Sequence, residues 1–223
     1  SQYMNDDKTW IGDKGVYRYT NLDNSNVYFP HHIVRLVGNY RSGFLQLAID
    51  KLEKNQNLAR NINRENYIDI TKKIDENNVT ITDILDKMNS YFPNETIPIE
   101  NSVNIQISTF YAMANDKEKA RTILEKIKNT DLSFEETMML YQAYSDYLKD
   151  YNSAMEILVN LHWEFLKNGE NTTILMDDLR LITDLPESLE ILNPFKTKYP
   201  DIAEFRYNLA IAYAKKDRVS DAI

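Results

Sequence analysis

Small residues recur at one fixed interval in the second half of this 223-residue chain. Successive members of the series are 34 residues apart, and they are Ala120, Ala154, Ser188 and Ala222. A 34-residue period is typical of tetratricopeptide repeats, in which each repeat is a pair of antiparallel helices. The small residue lets the two helices approach closely, and stacking of neighbouring pairs buries the apolar faces. The period therefore predicts a stacked array of helix pairs.

The residues around the small positions agree with this interpretation at both ends of the series. The pattern of an apolar residue, a small residue and a tyrosine is supplied by Ile107, Ser108 and Tyr111 and again by Leu209, Ala210 and Tyr213. The middle repeats depart from the pattern. Tyr144 is out of phase with Ala154, which predicts a turn at Asp150 that is one residue short. Pro194 removes a backbone donor and should end or kink its helix near Asn193.

Composition favours an all-α fold, an antiparallel α-solenoid with an irregular N-terminal arm. Glycine and proline number only five and six, and long segments are rich in Leu, Ile, Lys and Glu. Residues 1–32 form the aromatic-rich arm. Residues 33–95 form N-terminal helices with an inserted loop and short helix at 55–79. Residues 99–223 form the tetratricopeptide-like repeats, of which the last is truncated.

Several helix ends carry capping signals. Asp116 is expected to cap one helix, and capping boxes are expected at Ser133 with Glu136 and at Ser153 with Glu156. Pro186 is expected in the first turn of another helix. In the first long helix, Gly38 and Gly43 should admit the aromatic arm against the backbone.

Charge and cysteine content exclude several classes of function. The formal net charge is -8 and the isoelectric point is near 5, so no basic stripe is left to bind nucleic acid. The chain has no cysteine, which excludes disulfides, thiol catalysis and cysteine-ligated metal. No apolar run reaches the length of a membrane span, and no leader peptide is visible. We expect the sequence to be a fragment of a longer protein.

A resemblance adds to this interpretation. The segment RLVGNYRSGFLQLA at residues 35–48, with Leu85 to Met88 and Phe92-Pro93, resembles a bacterial family of multi-spanning membrane proteins similar to GT-C-type protein O-mannosyltransferases. The resemblance covers roughly residues 20–95 and implies a soluble helical domain that follows the last membrane span. Residues 55–79 depart from the family as an insertion. The family's catalytic acids lie in its membrane portion, so no catalytic residue is carried over.

The sequence offers no catalytic or metal site of its own. His31 and His32 are adjacent and His162 is remote, which is not metal-ligand spacing. Asp177 and Asp178 point apart on a helix, so they cannot act as a pair of acids across a cleft. We expect no cofactor, and we expect the isolated chain neither to hydrolyse glycosides nor to transfer sugar.

Partner recognition is the function that remains. The first helices of the repeats should form a concave face, on which the side chains most exposed to a partner are Glu136, Met139, Asp146, Asp177 and Tyr207. This face lacks the Lys and Asn residues that grip a peptide carboxylate, and its charge favours a neutral or basic segment. The partner would be a protein or peptide segment, or the membrane domain of the same protein.

Two settings for this function remain open. In the first, the chain is the extracytoplasmic, membrane-tethered part of a glycosyltransferase-like protein and positions its acceptor. In the alternative, it is a free-standing tetratricopeptide scaffold that binds a peptide or protein partner.

Overall fold

A computed structural model of the chain describes Leu22, Asn24, residues 26–167 and residues 173–216. In this part of the chain the secondary structure is helical and contains no strand, which confirms the all-α prediction. The chain forms two compact units, Ser1–Asp131 and Leu132–Ile223. Residues 1–21 of the predicted arm lie outside the described residues.

The first unit contains two pairs of consecutive helices that pack against each other. Their bounds are α1, His31–Arg60; α2, Tyr67–Tyr91; α3, Asn101–Met113; and α4, Lys117–Lys128. The Asp116 side chain accepts a hydrogen bond from the Lys119 N–H at the start of α4. The predicted cap is therefore confirmed.

Helices α1 and α2 are longer than the sequence predicts. The predicted loop and short helix at 55–79 are wrong in their bounds, because α1 continues to Arg60 and α2 runs from Tyr67 through Asn77 and Asn78 to Tyr91. The Asn55 side-chain Nδ2 donates to the side-chain Oδ1 of Asn78 at 2.8 Å, and the Asn77 Nδ2 donates to the Asn55 Oδ1 at 2.8 Å. The amides bond to each other across the two helices, so they do not compete for the backbone.

A buried arginine joins α1 to the end of α2. The Arg41 side chain is 5% exposed, and its Nη2 donates to the carbonyl oxygens of Phe92 at 2.7 Å and Ile97 at 2.6 Å. The Tyr40 ring stacks on the Phe92 ring, with 6.2 Å between centroids. Burial lowers the pKa of Arg41 to about 10, so the guanidinium stays charged at neutral pH and needs these acceptors. The two sequence segments that carry the family resemblance thus contact each other.

Among the described residues, nothing packs against Gly38 as the prediction for the aromatic arm required. Nothing lies within 4 Å of a Cβ built on Gly38, and the Tyr28 side chain is 85% exposed. The buried stripe of α1 runs through Val37, Arg41 and Phe44. Gly38 lies beside this stripe, so the expectation of close packing there is wrong.

The second unit contains five helices, counted over its described residues. Their bounds are α5, Phe134–Gln142, which continues as a π-helix over Ala143–Leu148; α6, Tyr151–Lys167; α7, Thr173–Thr183; α8, Ser188–Lys198; and α9, Ala203–Lys215. Apolar side chains of α6 to α9 form its core, including Leu158, Leu179, Leu192 and Phe205. The Ser133 and Glu136 capping box is confirmed, with both reciprocal hydrogen bonds present.

Three details of this unit differ from the prediction. Asp150, rather than a Ser153 capping box, accepts the Ser153 N–H at the start of α6. Pro186 precedes α8 by two residues rather than lying in its first turn. Pro194 does not end α8, which continues to Lys198. Pro194 is exposed while Phe195 is buried, so water can satisfy the freed carbonyl and core packing retains the helix.

The turn that follows the first helix of a pair recurs after 34 residues. Asn115 and Lys149 both have left-handed backbone conformations, with φ of 65° and 57°, and an aspartate follows each of them. The Asp116 N–H donates to the Tyr111 carbonyl, whereas the Asp150 N–H donates to the Tyr144 carbonyl, one residue farther back. The prediction of a shortened turn is wrong. The second repeat has one more residue between the tyrosine and the aspartate than the first, and the preceding helix accommodates it as a π-helical turn.

The small residues of the 34-residue series are buried wherever the structure describes them. Ala120 is 0%, Ala154 2% and Ser188 0% exposed. Ala222 lies outside the described residues. Burial of these three positions is what close approach of paired helices requires.

Candidate functional site

A cavity of about 380 Å³ lies beside the π-helix of the second unit. We call it the π-helix cavity. Its lining comes from α5, the π-helix, α6, α7 and the segment that follows α7. The lining residues are Tyr141, Ser145, Asp146, Lys149, Tyr151, Ala154, Met155, Leu181, Ile182, Asp184 and Leu185.

The lining combines a buried apolar floor with exposed side chains that include charged residues and Leu181. Ala154, Met155 and Ile182 are each less than 5% exposed and form an apolar floor. Asp146 and Lys149 are exposed at the edge. An apolar floor with a few polar groups is the usual composition of a binding pocket.

The polar groups of the cavity already have some internal partners. The Ser145 hydroxyl donates to the Asp146 carboxylate at 3.0 Å. Asp184 forms an ion pair with Lys215. Carboxylates held in this way can accept further hydrogen bonds from an ammonium or guanidinium group. No described lining residue is a histidine or a cysteine.

The extra residue of the π-helix determines which side chains reach the cavity. Each residue of an α-helix turns the chain by about 100°, so one inserted residue shifts the face that later residues present. Ser145 and Asp146 lie inside this π-helical turn. Single π-helical turns within α-helices occur frequently at functional sites.

The structure brings one of the five predicted site residues into this cavity. Asp146 lines it, whereas Glu136 accepts the Ser133 N–H in the capping box. Met139 is half-buried on α5, Asp177 is exposed on α7, and Tyr207 is 63% exposed on α9. The concave face that these residues would share stays a prediction.

Sequence reasoning missed most of the lining, including Tyr141, Lys149, Leu181 and Asp184. One signal was present in the sequence. Ten residues separate Tyr144 from Ala154, whereas nine separate Tyr111 from Ala120. That extra residue is the one the π-helical turn absorbs.

A second polar cluster lies in the first unit. The Tyr111 hydroxyl donates to the Asp86 carboxylate at 2.8 Å and accepts from Asn89 at 3.2 Å. Lys119 pairs with Asp86 at 2.7 Å and with Asp116 at 3.3 Å. These groups satisfy each other across α2, α3 and α4, which identifies the cluster as a structural contact.

The Tyr111 cluster predicts a loss of stability at high pH. Burial, together with the hydrogen bond to Asp86, raises the pKa of Tyr111. Above about pH 10 the unfolded chain loses the phenolic proton while the folded chain keeps it, so the free energy of unfolding should fall by up to about 1.4 kcal/mol per pH unit. In urea unfolding between pH 8 and 11, the free energy of unfolding of Tyr111→Phe should fall less with rising pH than that of the parent. The control, Tyr28→Phe at an exposed position, should retain the parent slope; equal slopes for all three proteins would contradict the prediction.

Other candidate ligands do not form a site. His31 and His32 are exposed at the start of α1, and the His162 side chain lies outside the described part. Among the residues that the structure describes, no group of three His, Cys, Asp or Glu could hold a metal ion. Within the same residues, no helix is sufficiently long and apolar to cross a membrane.

The chain was also compared with models of protein families, with curated proteins and with solved structures. None of the three comparisons gives a match.

Proposed function

We propose that the chain is a tetratricopeptide-like interaction domain that binds a neutral or basic segment of a protein partner in the π-helix cavity. The observation that carries this proposal is an apolar floor at Ala154, Met155 and Ile182 beside the carboxylates of Asp146 and Asp184. In this proposal the chain binds its partner and does not catalyse a reaction.

Two observations support the proposal that the chain is built from tetratricopeptide-like repeats. Burial of Ala120, Ala154 and Ser188 is what close helix pairing needs at 34-residue intervals. The turn at Asn115 recurs at Lys149, the same interval later. Arrays of helix pairs present extended surfaces that commonly bind peptide segments.

The charge and size of the cavity favour a particular kind of segment. The chain has a net charge of -8, and Asp146 is the acidic lining residue that a basic side chain would meet first, because Asp184 is already paired with Lys215. A volume of about 380 Å³ lies at the low end of small-molecule pockets, so it can hold one or two side chains of a peptide. An apolar side chain next to a Lys or Arg would fill the floor and meet the carboxylates. Salt should weaken this binding, because exposed charges are screened beyond about 8–10 Å.

Selection from a random peptide display library tests the proposal. The parent chain should enrich peptides that contain a basic residue beside an apolar one. The double variant Asp146→Lys with Leu181→Glu changes two exposed lining residues and should lose this enrichment. We expect binding of a selected peptide to weaken at least about tenfold, the effect of losing about 1.4 kcal/mol.

A control variant separates the cavity from the predicted concave face. Tyr207→Ala changes an exposed residue that does not line the cavity. It should bind the selected peptides as the parent does. Loss of binding in Tyr207→Ala, with retention in the Asp146 and Leu181 variant, would overturn the cavity in favour of the concave face.

The cellular setting is a further part of the proposal and rests on the resemblance alone. We propose that the domain is the extracytoplasmic part of a membrane glycosyltransferase, where it positions the acceptor. A full-length protein with Met139→Glu, Asp146→Lys and Tyr207→Ala should then modify its acceptor poorly in cells. The alternative, a free-standing scaffold, predicts a signal or lipoprotein leader upstream of Ser1 instead of multiple membrane spans.

A further inference from the structure

Large apolar side chains are exposed where α1 turns into α2. Ile62 is 39%, Tyr67 56% and Ile68 79% exposed. These three residues flank or lie within the six-residue turn that joins the two helices. We call this region the hairpin tip, residues 58–68. The next turn of α2 points Ile70 into the core, so exposure at the tip does not result from a poorly packed helix.

Several backbone and side-chain amides of the hairpin tip form hydrogen bonds within the tip itself. The Asn63 side-chain oxygen accepts the N–H groups of Glu65 and Asn66, each at 3.0 Å. The Asn66 side chain accepts the Asn63 N–H at 2.7 Å and donates to the Asn61 carbonyl at 3.0 Å. Internal hydrogen bonds lower the cost of moving backbone groups out of water. The tip can therefore enter a less polar medium at a smaller cost than an open loop.

The tip is basic although the chain is acidic. The tip itself contains Arg60, Arg64 and one acidic residue, Glu65, and the adjoining turns of the two helices add Lys54, Lys72, Lys73 and Asp69, whereas the net charge of the whole chain is -8. An open groove of about 460 Å³ runs beside the tip, and Lys54 and Lys73 line it with three asparagines, Leu58 and Glu76. Ammonium and amide groups are suited to donate hydrogen bonds to phosphate oxygens.

We propose that the hairpin tip docks on the surface of an anionic lipid bilayer. Ile62, Tyr67 and Ile68 would enter the interface between headgroups and acyl chains, and the surrounding Lys and Arg side chains would bind the headgroup phosphates. Interfacial binding of this kind needs apolar side chains and attraction to anionic lipid together. A tyrosine is suited to the interface, because its ring is apolar and its hydroxyl can remain in contact with water.

The apolar side chains favour a bilayer over an acidic protein. They lie at the turn of a hairpin, and none of the three lines the groove beside it, so they protrude without forming a pocket for a partner's side chain. A bilayer receives protruding side chains without requiring such a pocket. The tip is in the first unit and the π-helix cavity is in the second, so this inference is independent of the proposed function.

Sedimentation with lipid vesicles tests the inference on the 223-residue chain. Vesicles of phosphatidylglycerol and phosphatidylcholine in equal amounts should bind the chain at low salt, and vesicles of phosphatidylcholine alone should bind it much more weakly. The double variant Ile62→Glu with Ile68→Glu should bind the anionic vesicles about tenfold or more weakly. Arg60→Glu with Arg64→Glu should have a similar effect.

A matched control lies on the same helix. Val79 is 63% exposed on α2, well beyond the tip, so Val79→Glu should bind as the parent does. In a second measurement, the fluorescence of Ile62→Trp should shift to the blue with anionic vesicles beyond any shift of the parent, whereas Val79→Trp should match the parent. Absence of vesicle binding, or equal binding by the tip variant and the parent, would overturn the inference. Self-association without lipid that the tip variant abolishes would assign the tip to a second copy of the chain and would also overturn it.

Discussion

Arg41→Ala should lower the free energy of unfolding by about 3–5 kcal/mol. The Arg41 guanidinium is buried and donates to the carbonyl oxygens of Phe92 and Ile97. Alanine would leave both acceptors without this donor and would open a cavity between α1 and the end of α2. Each buried polar group without a partner costs about 1–3 kcal/mol, and the cavity adds to that cost.

Urea unfolding followed by circular dichroism would measure the effect. Arg41→Lys should be intermediate, because an ammonium retains the charge but lacks the planar donor arrangement of the guanidinium. Arg35→Ala changes an exposed arginine on the same helix and should cost less than about 0.5 kcal/mol. A cost below about 1 kcal/mol for Arg41→Ala would mean that the buried contact does not support the fold.

Ala120→Asp should be comparably severe, at about 3–5 kcal/mol. Ala120 is 0% exposed at the position where α4 approaches its partner helix α3. A carboxylate there has neither space nor a route to water. Ala154→Asp should cost less, about 1–3 kcal/mol, because Ala154 borders the π-helix cavity and its carboxylate has room to turn.

Thermal melts of the three proteins would rank these effects. Thr122→Asp, at an exposed position of α4, is the control and should stay close to the parent melting temperature. An Ala154→Asp protein less stable than Ala120→Asp would show that the cavity does not accommodate the new side chain. A melt of Ala120→Asp within about two degrees of the parent would contradict the role given to the small residue.

Capping residues and a regular apolar period correctly predicted those helices in which both are present. Helix α4 begins directly after Asp116, as the predicted cap requires, and its apolar positions keep one helical period. The long α1 and α2 were broken too early, because asparagines usually favour turns. Here their amides bond across the two helices, and a single sequence does not reveal that pairing. The prediction that Pro194 ends its helix was wrong for a similar reason, since the core contacts of Phe195 outweigh the loss of one backbone hydrogen bond at the proline.

The candidate site was less predictable than the fold. Asp146 was identified from its position in the repeat, but the rest of the cavity depends on a π-helical turn that changes which residues face inward. The most distinctive segment, at residues 35–48, proved to be a packing element, because Arg41 and Tyr40 contact the Phe92 region. A sequence pattern that looks specific can therefore reflect the requirements of a buried contact, and the family it suggests remains a proposal.

The asparagines between α1 and α2 also fix how the two helices align along their length. Sliding one helix past the other by a turn would separate Asn55 from Asn77 and Asn78 and leave part-buried amides without partners. Apolar contacts alone tolerate such a slip, whereas directional amide pairs do not. The hydrogen bonds between these asparagine side chains thus select one register of α1 against α2, in the way that a single buried asparagine selects one alignment of a coiled coil.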